Sequence, residues 1–152
     1  MHIRPLVQTD LAPIKAVIDA NDLFPSDMLD DMTAAFLADP DGPDIWLTGH
    51  LTGPQAVAYA APERMADAVW NLLLIAVHPQ VQGMGHGTAL FAHVEALLTQ
   101  RKQRLLIVET SGLPDFAPTR AFYLRSGYTE VARIPEFYQT GEDKIVFLKR
   151  LT

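Results

Sequence analysis

Apolar residues recur along this chain with two different periods, and the switches between them lay out its elements. Residues 1–7 alternate as a strand does. Thr9-Asp10 then supplies a capping pair for a helix whose Leu11, Ile14 and Val17 fall on one face. Asn21 to Pro25 reads as a turn. A second helix is expected from about Ser26 to Asp39, with Leu29, Met32 and Phe36 inward and Pro40 stopping it. Strands near 44–50 and 55–61 flank Leu-Thr-Gly-Pro, a hairpin signal. The stretch Val69 to Val77 is apolar on both faces after Asn71, as a central strand is. A helix over 86–101 is expected to bury Leu90, Val94 and Leu97. A strand over 104–110 follows, then a short helix around Phe122-Tyr123 closed by Gly127, a strand from Tyr128 to Ile134 and a last strand from Lys144 to Leu151. No repeat, low-complexity tract or linker interrupts this order, so a single domain over 1–152 is expected.

Composition narrows the class. With 152 residues, 49% of them hydrophobic, the chain can build a substantial core. No apolar run approaches the ~20 residues that span a bilayer, and the first residues read as a strand and not as a signal peptide. The expectation is a cytoplasmic protein that does not engage membrane. Zero cysteines exclude disulfides, thiolate zinc sites and a cysteine-acyl intermediate. His2, His50 and His93 show no metal-ligand spacing, so no metal is expected. The net charge of −6 is scattered, which argues against nucleic acid and fits a cationic amine better.

The densest chemical signal lies at 75–90, Ile-Ala-Val-His-Pro-Gln-Val-Gln-Gly-Met-Gly-His-Gly-Thr-Ala-Leu. An apolar strand, a short turn and three alternate glycines run straight into a helix. Such a turn presents unpaired backbone N–H groups and the positive end of the helix dipole to an anion, as a pyrophosphate requires. A Walker loop is excluded because Gly87 precedes Thr88 and no Lys is nearby. The dinucleotide fingerprint is closer, since Gly83-Met84-Gly85 supplies its first half and Glu109 ends the next strand. Against it, residue 86 is His where the third glycine belongs, and His78 to Gln82 separate the strand from Gly83.

What remains is Q-x-x-G-x-G, Gln82-Gly83-Met84-Gly85-His86-Gly87, which resembles motif A of the GCN5-related N-acetyltransferases (GNAT). Residues 119–128, Thr-Arg-Ala-Phe-Tyr-Leu-Arg-Ser-Gly-Tyr, are similar to that family's motif B. The likeness covers roughly 69–150, while the first 60 residues match in element order alone. It implies an α/β fold with a central mixed, mostly antiparallel sheet of about seven strands and about four helices. It also implies an enzyme, an acetyl-CoA-dependent N-acetyltransferase whose cosubstrate is acetyl-CoA. The cradle residues would be Gln82, Gly83, Met84, Gly85, His86, Gly87 and Thr88, and backbone N–H groups of Ile75, Ala76 and Val77 would face the pantetheine and acetyl oxygen. Many members carry an Asn before the Phe-Tyr helix. Here Phe116 and Ala117 stand in that loop, so no contact of that Asn carries over.

Amine acylation needs a polarised thioester oxygen, a neutral amine and a proton for the departing thiolate. The resemblance gives Tyr123 the last role; the alternative is that Phe122 and Tyr123 anchor their helix. Glu109, where the fourth and fifth strands of this fold splay apart, is the candidate base. Its alternatives are a solvated strand-end acid or a carboxylate that binds the ammonium without deprotonating it. His78, before Pro79, reads as structural, and Arg120 and Arg125 as phosphate contacts or a solvated face. The loop 135–143, with two aromatics and three acids, and the turn Asn21 to Pro25 are expected to wall the acceptor site. The acceptor would be a small-molecule or peptide amine, and the protein a monomer or homodimer. Two other classes stay open: a CoA-binding sensor without turnover, and a nucleotide-dependent oxidoreductase.

Overall fold

A computed structural model describes residues 1–152. The strands are β1 (His2–Pro5), β2 (Ile45–His50), β3 (Pro54–Pro62), β4 (Val69–Val77), β5 (Leu105–Ser111), β6 (Thr129–Gln139) and β7 (Glu142–Arg150). The helices are α1 (Leu11–Ala20), α2 (Leu29–Ala38), α3 (His86–Gln100) and α4 (Ala117–Arg125). The strands form one seven-stranded sheet in the order β1-β2-β3-β4-β5-β7-β6. This is the mixed α/β architecture expected, with β4 and β5 parallel beside antiparallel pairs. The chain divides into two compact units, Met1–Pro62 with Leu73–Val94 and Glu63–Leu72 with Glu95–Thr152. No helix is long and apolar enough to cross a membrane.

In the first unit, the inward faces of α1 and α2 meet the sheet. Ile14, Val17, Ile18, Leu29 and Val57 are at most 1% exposed, and each such aliphatic side chain stabilises by about 1.5–3 kcal/mol. Trp46 of β2 stacks on Tyr59 of β3 at 4.2 Å between ring centroids, and the Tyr59 hydroxyl donates to Asp44. Asp10 corrects an expectation. It makes no side-chain cap to α1. Its carboxylate instead takes Arg4 at 2.7 and 2.9 Å and reaches back to the Val7 N–H at 2.9 Å. Asp10 ends a 3-10 turn over Gln8–Asp10, so its side chain points toward β1 rather than along the helix.

In the second unit, Val69–Leu72 pairs with Leu105–Val108, and β5 pairs along its whole length with β7. Leu106, Val108, Ile145 and Phe147 fill its interior. Two expectations change here. On α3, whose residues to Val94 belong to the first unit, the buried residues are Leu90, Phe91, Val94 and Leu98, with Leu97 half-buried, because the stripe follows i, i+4, i+8 with Phe91 beside it. The stretch 135–143 is not a loop: β6 runs on to Gln139 and β7 starts at Glu142. Ile134 pairs with Lys144 and Gln139 with Glu142, so the four residues 135–138 face the single Asp143. That wide bulge takes Glu136 to a φ of 53° and ties its N–H to Asp143 Oδ1 at 3.0 Å. A bulge carries the strand past Pro135, which cannot donate to a ladder.

Candidate functional site

The glycine loop leaves β4 and enters α3. Gly83 and Gly85 adopt φ of 76° and 86°, a left-handed backbone in which a side chain is strained, and a Cβ at either position would meet no protein atom within 4 Å. Conformation therefore demands these glycines, and crowding does not. The first helical bond of α3 runs from Ala89 N–H to Gly85 O at 3.0 Å. The N–H groups of His86, Gly87 and Thr88 precede it and have no intrahelical acceptor. Three donors, the positive helix end and glycines open on their outer side fit a pyrophosphate. Met84, at the loop tip, is 68% exposed.

Side chains fix the loop's root. The Val77 carbonyl that ends β4 accepts from Asn21 Nδ2 at 3.0 Å and from Gln82 Nε2 at 2.9 Å. Asn21 Oδ1 accepts from the same Gln82 amide at 2.9 Å. The Gln82 side chain is thus tied to Asn21 and Val77, while its place in the motif had put the residue in the cradle. His78 donates its N–H to Gln55 O, and its Nδ1 accepts from Gln80 N–H at 3.2 Å, a structural role. The turn after α1 borders a cavity of about 420 Å³ lined by Asp19, Asp22, Leu23, Phe24 and Pro25.

In the second unit, Glu109 heads a row of polar side chains across the sheet. Its Oε1 accepts from Asn71 Nδ2 at 2.8 Å, and its Oε2 pairs with Lys144 Nζ. The Asn71 amide also donates to Glu63 Oε1 at 3.1 Å, so two carboxylates share one amide nitrogen. Asn71 Oδ1 is buried without a partner. Burial pulls the Lys144 ammonium below the ordinary lysine range, while the Glu63 charge acts upward. The bulge of β6 lays the Phe137 ring against that ammonium, 4.0 Å from its centroid. Lys144 and Glu63 were not singled out in the sequence. The only signal for Lys144 was its register: it lies opposite Ser111, two places from the Glu109–Val146 pair and on the same face.

Tyr123 sits at the end of α4 and is 5% exposed. A Schellman clasp holds it there: Gly127 N–H donates to Leu124 O and Tyr128 N–H to Tyr123 O, both at 3.1 Å, with Gly127 at φ 90°. Its ring meets Phe147 edge-on at 5.5 Å. Burial, and next the nearby Tyr138, hold the phenol well above its ordinary range, so it stays protonated throughout neutral pH. Arg120 has a structural task, since its Nη1 donates to Ser111 O at 2.7 Å and Leu113 O at 2.9 Å. It closes the turn that leaves β5.

Comparison with known proteins agrees in one direction. The family profile described as acetyltransferase (GNAT) domain matches residues 45–130. An uncharacterised N-acetyltransferase, MJ1530, of Methanocaldococcus jannaschii is 30% identical over 83 residues, 53% of this chain and 51% of that protein. The chain thus spans about half the length of the curated relative it matches. A GNAT-family protein of Desulfovibrio desulfuricans superposes with a TM-score of 0.91 at 27% identity, covering 99% of both chains. An aminoglycoside 6'-N-acetyltransferase in complex with coenzyme A superposes with a TM-score of 0.81 at 14% identity, over 100% of this chain and 98% of that one.

Proposed function

The chain belongs to the GNAT acetyltransferase family, and from that premise we propose that it moves an acetyl group from acetyl-CoA directly to an amine. The carrying observation is the left-handed pair Gly83 and Gly85 ahead of the free first-turn N–H groups of α3. Those groups would hold the pyrophosphate, with Gln82, Gly83, Met84, Gly85, His86, Gly87 and Thr88 forming the cradle. The N–H groups of Ile75, Ala76 and Val77 on β4 are assigned to the pantetheine and acetyl oxygen. The solved complex of a fold neighbour with coenzyme A supports this choice of donor. Acetyl-CoA supplies an activated acyl group, and the chain supplies proton management and orientation.

Glu109 is our candidate acceptor of the ammonium proton. Both of its oxygens are engaged, but each retains a second lone pair. Glu63, sharing the Asn71 amide, leaves one negative charge in excess of Lys144 to attract an ammonium group. Tyr123 is assigned to the departing thiolate. As a phenol harder to ionise than usual, it would serve as a hydrogen-bond donor that stabilises the developing sulfur charge and keeps its own proton, and the thiolate would take its proton from solvent as the products part. The acceptor is a small-molecule or peptide amine, and we assign one catalytic domain to 1–152.

One observation favours a second reading, a CoA-binding module without turnover: Glu109 is already paired with a resident cation. The deciding experiment joins calorimetric titration with a CoA-release screen over amino acids, polyamines, aminoglycosides and peptides. Micromolar CoA binding with release on one amine class is the expected result. Binding without release on any amine selects the sensor, and tighter binding of NAD(H) than of CoA overturns both readings.

A further inference from the structure

One side chain joins the turn after α1 to the glycine loop. Asn21 follows α1 directly, and its Nδ2 donates to Val17 O at 2.9 Å and to Val77 O at 3.0 Å. Its Oδ1 accepts from Gln82 Nε2, a residue 61 positions away, at 2.9 Å. The same Gln82 amide donates to Val77 O at 2.9 Å, so both lone pairs of the oxygen that ends β4 are taken by these two side chains. The far side of that peptide is held as well, by His78 N–H on Gln55 O at 2.8 Å.

The residues joined to Asn21 on each side are the ones whose freedom matters. On one side come Gly83 and Gly85, with Gln82 as the hinge between the fixed β4 end and the loop. On the other come Asp22, Leu23, Phe24 and Pro25, which line the cavity. The path beyond Asn21 hangs on Asp22 N–H to Asp19 O at 3.1 Å and Leu23 N–H to Ile18 O at 3.3 Å, both on α1. A displacement of Gln82 therefore either breaks a bond to a saturated carbonyl or carries Asn21 with it.

We propose that Asn21 is a positioning residue that couples the two loops, so that CoA in the glycine cradle stiffens residues 22–25 and presents that wall in one conformation to the acceptor. The coupling rests on the reading of the cradle as the CoA site. Ordering the glycine loop removes freedom that the 22–25 segment would otherwise lose when an acceptor docks. The acceptor then binds more tightly to the CoA complex than to the free protein, and by reciprocity CoA binds more tightly once the acceptor is in place.

Amide hydrogen exchange on the full chain tests this without knowledge of the acceptor, with CoA itself as the probe. In the wild type, saturating CoA slows exchange both in 82–88 and in 22–25. Asn21→Ala keeps the first effect and loses the second. Asn21→Asp retains an acceptor for Gln82 but places a second oxygen against Val77 O, and loses the second effect too. Melting curves of both variants establish that they are folded. Protection of 82–88 without protection of 22–25 in the wild type overturns the coupling, and requires no variant to fold. Protection of 22–25 that persists in both variants removes Asn21 from it. No protection anywhere with CoA removes the cradle reading, and the coupling with it.

Discussion

Replacing Lys144 by Met isolates what the Glu109 carboxylate gains from its cation. The two side chains are 14% and 21% exposed, and Asn71 holds the opposite oxygen of Glu109. Met keeps the alkyl stem and a soft contact with Phe137, so the variant removes charge more than packing. An exposed pair contributes at most about 1 kcal/mol, and breaking a fully buried one costs about 3–5 kcal/mol. This pair lies between, and its loss leaves Glu109 and Glu63 sharing one amide with no cation nearby. We expect a loss of about 2 kcal/mol, which for a chain of this size lowers Tm by about 4–8 °C. Glu109→Gln keeps the acceptor for Asn71 but removes the ammonium's paired carboxylate, leaving only the Glu63 charge to act on it. The double variant strands neither charge, so its loss falls short of the sum of the single losses by about 1–2 kcal/mol. Urea titration and thermal melts of the four proteins give the cycle. Additivity within about 0.5 kcal/mol would refute the coupling of the two groups, and with it the account of how Glu109 is held.

Gly87→Glu separates the cradle from the fold. Gly87 lies in the first turn of α3, where a carboxylate favours the helix, so Tm holds or rises while CoA affinity falls more than about tenfold; calorimetry showing undiminished affinity removes the cradle. Tyr123→Phe lowers kcat by about 10- to 1000-fold with little change in the KM for acetyl-CoA, and the wild-type rate profile has no limb from this phenol below about pH 10. Wild-type kcat in that variant, with chemistry rate-limiting, returns Tyr123 to packing alone. For Asp10, burial pushes the carboxyl upward, but bonds from Arg4 and Val7 and the charges of Arg4 and His50 outweigh it and hold the group below its ordinary range. A lowered folded value stabilises above the unfolded pKa of about 3.9 and is lost as pH falls through the folded one. Asp10→Asn should therefore cost about 2 kcal/mol near pH 7 and flatten the acid limb of a Tm series, and an acid limb parallel to the wild type contradicts this.

Local patterns carried the reading of elements. The span Val69–Val77 came out residue for residue because an apolar run bounded by polar turns has few other solutions, and Gly127 closed α4 because a Schellman clasp needs a left-handed residue. The glycine loop was legible for the same reason. Non-local pairings were not. Lys144 meets Glu109 through the register of β5 on β7, and Glu63 meets Asn71 across a turn, neither of which leaves a periodic trace. Arg120 looked like a free cation because its two carbonyl acceptors lie on backbone, which has no residue type to read. The segment 135–143 looked like a loop because Pro135 and Gly141 punctuate it, whereas the strand absorbs Pro135 in a bulge.

β6 is the last strand of the sheet, and every residue from Thr129 to Gln139 is exposed. An open edge of that length invites another strand to add, the first step of self-association into fibres. Here the invitation is withdrawn partway along. Pro135 offers no N–H, the bulge at 135–138 throws the donors and acceptors out of repeat, and Glu130, Arg133 and Glu136 set charge along the same edge. The irregularity that lays Phe137 on the Lys144 ammonium thus also ends the sheet, so a substitution that straightened the hairpin would act at once on the polar row around Glu109 and on the solubility of the chain.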